Sequence, residues 1–198
     1  MSFSRRIGFA VIGMFLVASS TQTVFAQSQS TNKSVSSVNK PPDEKKSCKH
    51  FVQEFYNYYI PVAGGNGPTP EAALEAKKSH FGEDLYRQLK ADFDASAKVK
   101  DEIVGLDFDP FVNSQDPAPK YVVGEVTERA GRFKVGVHGV SSDGKKNPQP
   151  DVTPELAHRN GKWVFLNFHY GKTSIPENEN LISILKALAA DRKKNPVK

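Results

Sequence analysis

The densest run of polar and aromatic residues lies in the middle of the chain, between Gly105 and Pro117. On a strand, Asp107 and Asp109 would point to the same side, where the two carboxylates could bind a cation or share a proton. The run is not an EF-hand loop, because Val112 stands where that motif requires glycine. Three interpretations stay open: a loop whose side chains bond their own backbone, a wall of a ligand pocket, or a cation site.

Histidine is the other residue type that could do chemistry here, as a general base. His138 is predicted to lie beside Glu125 on the sheet face opposite the core. His169 is predicted to share a face with aromatic residues. Either could work with Asp107 or Asp109, although a hydrogen-bonded structural histidine is the commoner outcome. The five histidines of the chain show no metal-ligand spacing, and no phosphate loop or dinucleotide fingerprint is present. We therefore expect no metal and no cofactor.

These patterns predict that one concave surface gathers five polar residues for binding a ligand. The residues lie among large aromatic side chains, which is the mixture expected of a pocket wall. The candidates are Asp107, Asp109, Asn113, Asn167 and His169. A structure with Asp109 and His169 on opposite sides of the sheet would contradict the grouping.

Cys48 is the only cysteine, so it cannot form a disulfide within the chain. On a helix its neighbours Lys49 and His50 face away from it, which disfavours a nucleophilic thiol. The thiol is either buried in the first helix or free to pair between chains.

Helical spacing of apolar residues predicts three helices early in the chain and one near its end. Pro61 stops the first helix, and Thr69 caps the second. Gly82 separates the second from a third helix over Glu83–Val99, and the last helix spans Asn180–Ala190.

After Gly105 the apolar period changes to two, which predicts a short strand and then two hairpins. Ala130-Gly131 and Asn160-Gly161 supply the hairpin turns. The predicted hairpin strands are 121–129, 132–140, 151–159 and 162–170. This order indicates the α+β class, with N-terminal helices packed on a curved antiparallel sheet of about four to five strands and a C-terminal helix.

Counting residues from the first turn assigns the faces of the first hairpin. Val126 should oppose Val135, and Gly124 should oppose Val137. Val122 and Val126 then belong to the core face.

The same count assigns the faces of the second hairpin. Asn167 and His169 should share the face of Phe165. Its last strand is apolar on both faces and is therefore expected to be central. Pro154 lies inside the first strand of this hairpin and predicts that this strand lies at an edge of the sheet or carries a bulge.

The first twenty-six residues have the pattern of a bacterial signal peptide. Arg5 and Arg6 precede an apolar core over Ile7–Val17, which is too short for a membrane span, and a cleavage site ends at Ala26. An uncleaved anchor is the alternative. Since Gln27 rather than cysteine follows the cleavage site, we expect no lipid anchor, and the general secretory route fits better than the twin-arginine route.

Composition divides the rest of the chain. Residues 27–47 are polar and predicted to be a disordered linker, residues 48–192 form one domain, and residues 193–198 form a basic tail. The net charge of +5 comes from the ends, so the folded part is slightly acidic. That balance argues against a nucleic-acid groove, and the tail is expected to be a solvated end.

Three segments carry a resemblance to a known family. They are Phe51–Tyr56 with Tyr59 and Pro61, Leu106–Phe111 with Asn113–Pro117, and Gly161–Phe165 with Asn167–Tyr170. Through them the stretch from Cys48 to Arg192 resembles the exported bacterial family known as domain of unknown function 3828. That family is similar to the ketosteroid-isomerase-like, nuclear-transport-factor-2-like cone. The resemblance implies helices that close a curved sheet around a pocket, and it implies no reaction.

We therefore expect an exported periplasmic or secreted module that binds a small ligand or a protein partner without catalysis. It should bind no nucleic acid and keep no stable membrane anchor after cleavage. One alternative is a small cone-fold hydrolase or isomerase that uses an Asp/His pair. Another is an inhibitor or immunity-type protein that binds a partner through an edge or loop. A carboxylate and an imidazole in hydrogen-bond reach inside a pocket would favour the enzyme.

Overall fold

The computed structural model describes residues 43–61, 67–99, 104–171 and 179–195. The predicted signal peptide, the predicted linker as far as residue 42 and residues 196–198 of the predicted tail lie outside these ranges. In chain order the elements are α1 (Glu44–Tyr59), α2 (Pro70–Ala76), a 3₁₀ helix (Lys78–His80), α3 (Glu83–Ser96), β1 (Lys120–Arg129), β2 (Arg132–Val140), β3 (Thr153–Arg159), β4 (Lys162–His169) and α4 (Leu181–Lys194). The described part is therefore α+β, as predicted.

The first helix begins before the predicted domain boundary at residue 48. The Asp43 side chain caps α1 at Glu44, so the last residues of the predicted linker are helical. Ser47 in this first turn accepts a hydrogen bond from the indole of Trp163 at 3.2 Å. The start of α1 is thus tied to the sheet and belongs to the domain.

The predicted boundaries are confirmed at the end of α1 and at the starts of α2 and α3, whereas α3 ends at Ser96, before the predicted Val99. Thr69 accepts a hydrogen bond from the Ala72 amide at the start of α2, and α1 ends before Pro61. Gly82 lies between the 3₁₀ helix and α3. At the far end α4 continues to Lys194, past the predicted end at Ala190.

The strand order in the sheet is β1-β2-β3-β4, and both predicted hairpins form. Ala130 and Asn160 have φ of 52° and 51°, and the glycine after each also has positive φ. Two successive residues of positive φ make the type I′ turn that matches the twist of paired strands.

β4 lies at an edge of the sheet, so the prediction that it is central is wrong. On its outer side it makes one parallel bridge, in which the Gly82 amide donates to the Phe165 carbonyl at 2.8 Å. Helices α3 and α4 also contact β4. Helical cover, rather than a further strand, therefore accounts for its apolar residues on both faces.

A β-bulge in β1 changes the pairing predicted for the first hairpin. Val126 pairs with Val135 as predicted, but Val123 takes the place of Gly124 opposite Val137. The bulge inserts one extra residue into β1, and the faces reverse on its far side.

The reversal moves Val122 out of the core. Tyr121 and Val123 are buried with the core residues, and Val122 pairs with His138 on the other face. Gly124 gives this histidine room, because a Cβ at that position would lie 2.7 Å from the His138 Nε2 atom.

A second bulge lies in β4. Leu156 pairs with Phe165 as predicted, whereas the preceding residue, Glu155, pairs with Asn167. The extra residue on β4 is Leu166, which opposes no residue of β3.

This bulge separates residues that the sequence places on one face. Phe168 joins Phe165 in the core, where both are fully buried. Asn167 and His169 turn to the opposite face, so the predicted shared face is wrong. The prediction from Pro154 that β3 lies at an edge or carries a bulge is wrong, because β3 lies between β2 and β4 and the extra residue belongs to β4, opposite β3.

The core lies between α1 and one face of the sheet and is filled by aromatic rings. Phe55 is at its centre, with ring centroids 4.9–6.0 Å from those of its neighbours Tyr56, Tyr59, Phe81, Phe111 and Phe165. Trp163 is only 8% exposed, in agreement with the apolar pattern of its strand.

Helix α1 also covers part of the outer edge of β1. The Gln53 side-chain amide donates to the Tyr121 carbonyl at 3.3 Å and accepts from the Val123 amide at 3.0 Å. Both backbone groups point away from β2, so the glutamine satisfies them as a neighbouring strand would.

Candidate functional site

Three tyrosine hydroxyls hold the loop segment Asp109–Phe111 against the core. They donate from Tyr56 to the Phe111 carbonyl (2.6 Å), from Tyr59 to the Asp109 carboxylate (2.5 Å) and from Tyr170 to the Pro110 carbonyl (2.9 Å). We call this arrangement the tyrosine clamp. Because it draws on α1 and on the end of β4, it fixes the loop relative to both.

Asp109 has a structural role inside this loop. Its carboxylate accepts from the Phe111 amide at 2.9 Å, and its own amide donates to the Ser114 carbonyl at 3.0 Å. The bridge between Asp109 and Ser114 is isolated, so the short strand predicted for this segment does not form in the described part. For Asp109 the geometry is that of a loop whose side chain bonds its own backbone.

Burial raises the pKa of Asp109, although the Tyr59 hydroxyl and the Phe111 amide bond to the carboxylate and oppose the rise. Burial also raises the pKa of Tyr59, and the nearby charge of Asp109 adds to that effect. The tyrosine therefore stays protonated and acts as the donor of the pair.

Asp109 should make the domain less stable as the pH rises. The folded state holds the Asp109 proton more tightly than the unfolded chain, so its contribution is largest below the ordinary carboxylate pKa of about 4. That contribution is lost as the pH rises through the raised pKa of the folded state. We expect Asp109→Asn to remove this downward slope from a series of urea unfolding curves at different pH. The same slope in the variant and the wild type would contradict the assignment.

A cavity of about 430 Å³ lies between the Gly105–Phe108 part of the loop and α4. It is lined by Gly105, Leu106, Asp107, Phe108, Asn113, Tyr170, Ile184 and Leu188. We call it the loop–α4 cavity. It brings together two of the five predicted site residues, Asp107 and Asn113, with aromatic and aliphatic side chains.

Asp92 positions both walls of the loop–α4 cavity. It is 1% exposed, and its carboxylate accepts from the Leu106 amide at 3.0 Å and from the Arg192 guanidinium at 2.5 Å. Arg192, placed by the sequence at the end of the domain next to a solvated tail, is thus bound to α3. Gly105 permits the approach of the loop, because its φ is +110° and a Cβ there would lie 2.8 Å from the Asp92 carboxylate.

The structure places Asn167 at the start of α4 and not in the loop–α4 cavity. Its side-chain oxygen accepts from the Ile182 amide at 3.1 Å, and its side-chain nitrogen donates to Asn180 at 3.0 Å. Asn180 is itself the N-cap of α4. These bonds give Asn167 a capping role.

His169 lies on the outer face of the sheet, away from the tyrosine clamp. Its Nε2 atom is 2.8 Å from the Glu155 carboxylate, which also pairs with Arg132 at 3.3 Å. Asp109, in contrast, bonds to Tyr59 on the core side. The structure therefore does not bring Asp109, Asn167 and His169 to the surface that carries Asp107 and Asn113.

His138 and Cys48 are both enclosed. The His138 Nδ1 atom is 2.8 Å from the Asn147 carbonyl, so the ring fastens the loop between β2 and β3 to the sheet. Cys48 is fully buried, and burial raises its pKa to about 12. A thiol with that pKa stays protonated at neutral pH and is a poor nucleophile.

The residue patterns do not place Tyr170, Ile184 or Leu188 in the predicted site. Ile184 and Leu188 are four residues apart on α4 and so share one face of that helix. That spacing is a detectable signal, but it does not show which loop the helical face meets.

In the described ranges, no group of three or more histidine, cysteine, aspartate and glutamate side chains could hold a metal ion. No helix in the same part of the chain combines the length and the hydropathy needed to cross a membrane. Comparison of the chain with protein-family models, with curated proteins and with solved structures found no match.

Proposed function

We propose that this protein is an exported, periplasmic binding module that holds a small ligand in the loop–α4 cavity without catalysing a reaction. The observation that carries the proposal is the lining of the cavity. Asp107 and Asn113 supply polar groups, and Phe108, Ile184 and Leu188 supply apolar surface. A few polar groups among apolar ones is the usual composition of a small-molecule site.

Binding is favoured over catalysis because no acid and base suited to catalysis meet among the described residues of the cavity. No histidine is among its described lining residues. His169 bonds to Glu155 outside the cavity, and His138 contacts a backbone carbonyl. The hydrolase or isomerase with an Asp/His pair therefore has weaker support.

The resemblance to the cone family supports the presence of a pocket, but it suggests a pocket at a different place from the loop–α4 cavity. In that arrangement the ligand would lie between the helices and the concave face of the sheet. Here Phe55, Phe111 and Phe165 occupy that space and are at most 2% exposed. We therefore place the ligand in the loop–α4 cavity, at the end of this packed core.

Filling the cavity should strongly reduce binding. We expect Leu188→Trp, purified from a periplasmic extract as a chain that begins at Gln27, to retain about tenfold less bound small molecule than the wild type. The reason is that an indole would occupy the space of the ligand. Mass spectrometry of the molecules released on denaturation measures this difference.

Ala190→Trp is the matched control, because residue 190 is an exposed position of the same helix. It should release the same molecules as the wild type, and circular dichroism should show equal helix content in all three proteins. Equal retention by Leu188→Trp and the wild type would contradict the proposal, as would a wild type that releases nothing.

A further inference from the structure

We infer that the loop–α4 cavity selects a cationic ligand, namely an amine or quaternary ammonium ion with a short apolar body. This inference rests on the proposed function, because it names the ligand class for the same cavity. Three features of the described lining carry it: an aromatic corner, a carboxylate without a described salt bridge, and an aliphatic wall.

Phe108 and Tyr170 form the aromatic corner. Their ring centroids are 5.5 Å apart and their planes meet at 85°. Tyr170 is fixed in place, because its hydroxyl donates to the Pro110 carbonyl at 2.9 Å. Aromatic faces carry partial negative charge, so a cation that lies over the face of either ring is attracted to it.

Asp107 adds a full negative charge next to Phe108. The residue is exposed, and its described hydrogen bond uses the backbone carbonyl, which accepts from the Gln115 side chain at 3.0 Å. None of the salt bridges within the described ranges involves its carboxylate. Among the described residues, no cation therefore competes with a ligand for this carboxylate.

The remaining wall favours an apolar body on the ligand. Ile184 and Leu188 present aliphatic side chains from α4, and no lysine or arginine is among the described residues that line the cavity. An anionic ligand would meet the Asp107 charge with no compensating cation among these described residues. A cation with a few methyl or methylene groups satisfies both the charge and the apolar surface.

Choline and its uncharged carbon isostere, dimethylbutanol, test the inference because they have nearly the same shape. We expect the wild type to bind choline more tightly in titrations followed by nuclear magnetic resonance. Asp107→Asn should weaken choline binding about fivefold, because one exposed ion pair is lost. Phe108→Leu should weaken it about threefold through the loss of the aromatic face. Neither variant should change the affinity for dimethylbutanol by more than about twofold.

Asp116→Asn is the matched control. It makes the same change of charge in the same loop, but residue 116 lines a different cleft. Its choline affinity should equal that of the wild type.

The outcomes separate this inference from the proposed function. Equal affinity of the wild type for choline and dimethylbutanol, with both lost in Leu188→Trp, would overturn the cationic class and leave the binding cavity in place. Choline binding that survives Leu188→Trp would place the ion elsewhere and overturn this inference, whereas the proposed function fails only if Leu188→Trp retains as much bound small molecule as the wild type or the wild type releases none. An equal loss of choline affinity in Asp107→Asn and Asp116→Asn would show that the net charge of the loop, and not a contact in the cavity, attracts choline. That result would overturn the inference.

Discussion

Replacing Phe111 by alanine is expected to lower the free energy of unfolding by about 3–5 kcal/mol, the range for a large aromatic side chain removed from a core. Phe111 is fully buried, and its ring centroid lies 5.3–5.6 Å from those of Phe55, Tyr59, Phe81 and Phe168. The surrounding rings come from α1, from the segment before α3 and from β4. They cannot all move inward, so a cavity should remain. Urea unfolding followed by circular dichroism measures the loss.

Phe108→Ala is the control for this experiment. It removes the same side chain from the same loop at a position that is only half-buried. We expect it to cost less than about 2 kcal/mol, because the side chain already faces open space. A Phe111→Ala variant no less stable than Phe108→Ala would show that the loop is not part of the core.

Replacing Arg192 by methionine is expected to lower the free energy of unfolding by about 3–5 kcal/mol, because it leaves the charge of Asp92 buried without its cation. The Arg192 side chain is 21% exposed and that of Asp92 is 1% exposed. Methionine keeps most of the apolar contact of the arginine stem, so the loss reports mainly on the charge. The same unfolding measurement applies.

Two comparisons isolate the charge effect. Arg87→Met breaks an ion pair with Asp84 in which both side chains are more than half exposed, and it should cost no more than about 1 kcal/mol. The double variant Asp92→Leu with Arg192→Met removes both charges and should be more stable than Arg192→Met alone. A double variant that is less stable than the single one would contradict the account.

The hairpins could be predicted from the sequence because their signals are local. A two-residue type I′ turn requires positive φ at two successive positions, and Asn160-Gly161 is a dipeptide that adopts this backbone readily. The bulges could not be predicted in the same way. Val122 and Val123 are the same residue type, so either one could face the core, and apolar pattern alone does not locate the extra residue.

Because the bulges could not be predicted, only part of the candidate site could be predicted. Asp107 and Asn113 lie in one loop, and the structure keeps them together in one cavity. The grouping of Asn167 and His169 with them depended on an unbroken alternation along β4, which the bulge at Leu166 interrupts. The contribution of α4 depends on a contact between distant parts of the chain, which residue spacing does not encode.

The bond between Gln53 and the edge of β1 has a consequence for self-association. Before α1 docks, the Tyr121 carbonyl and the Val123 amide are open to any extended segment, including the same strand of a second chain. Once α1 is in place, its glutamine occupies both groups. The order in which helix and sheet assemble therefore decides whether this edge is closed within one molecule or becomes the starting point of aggregation.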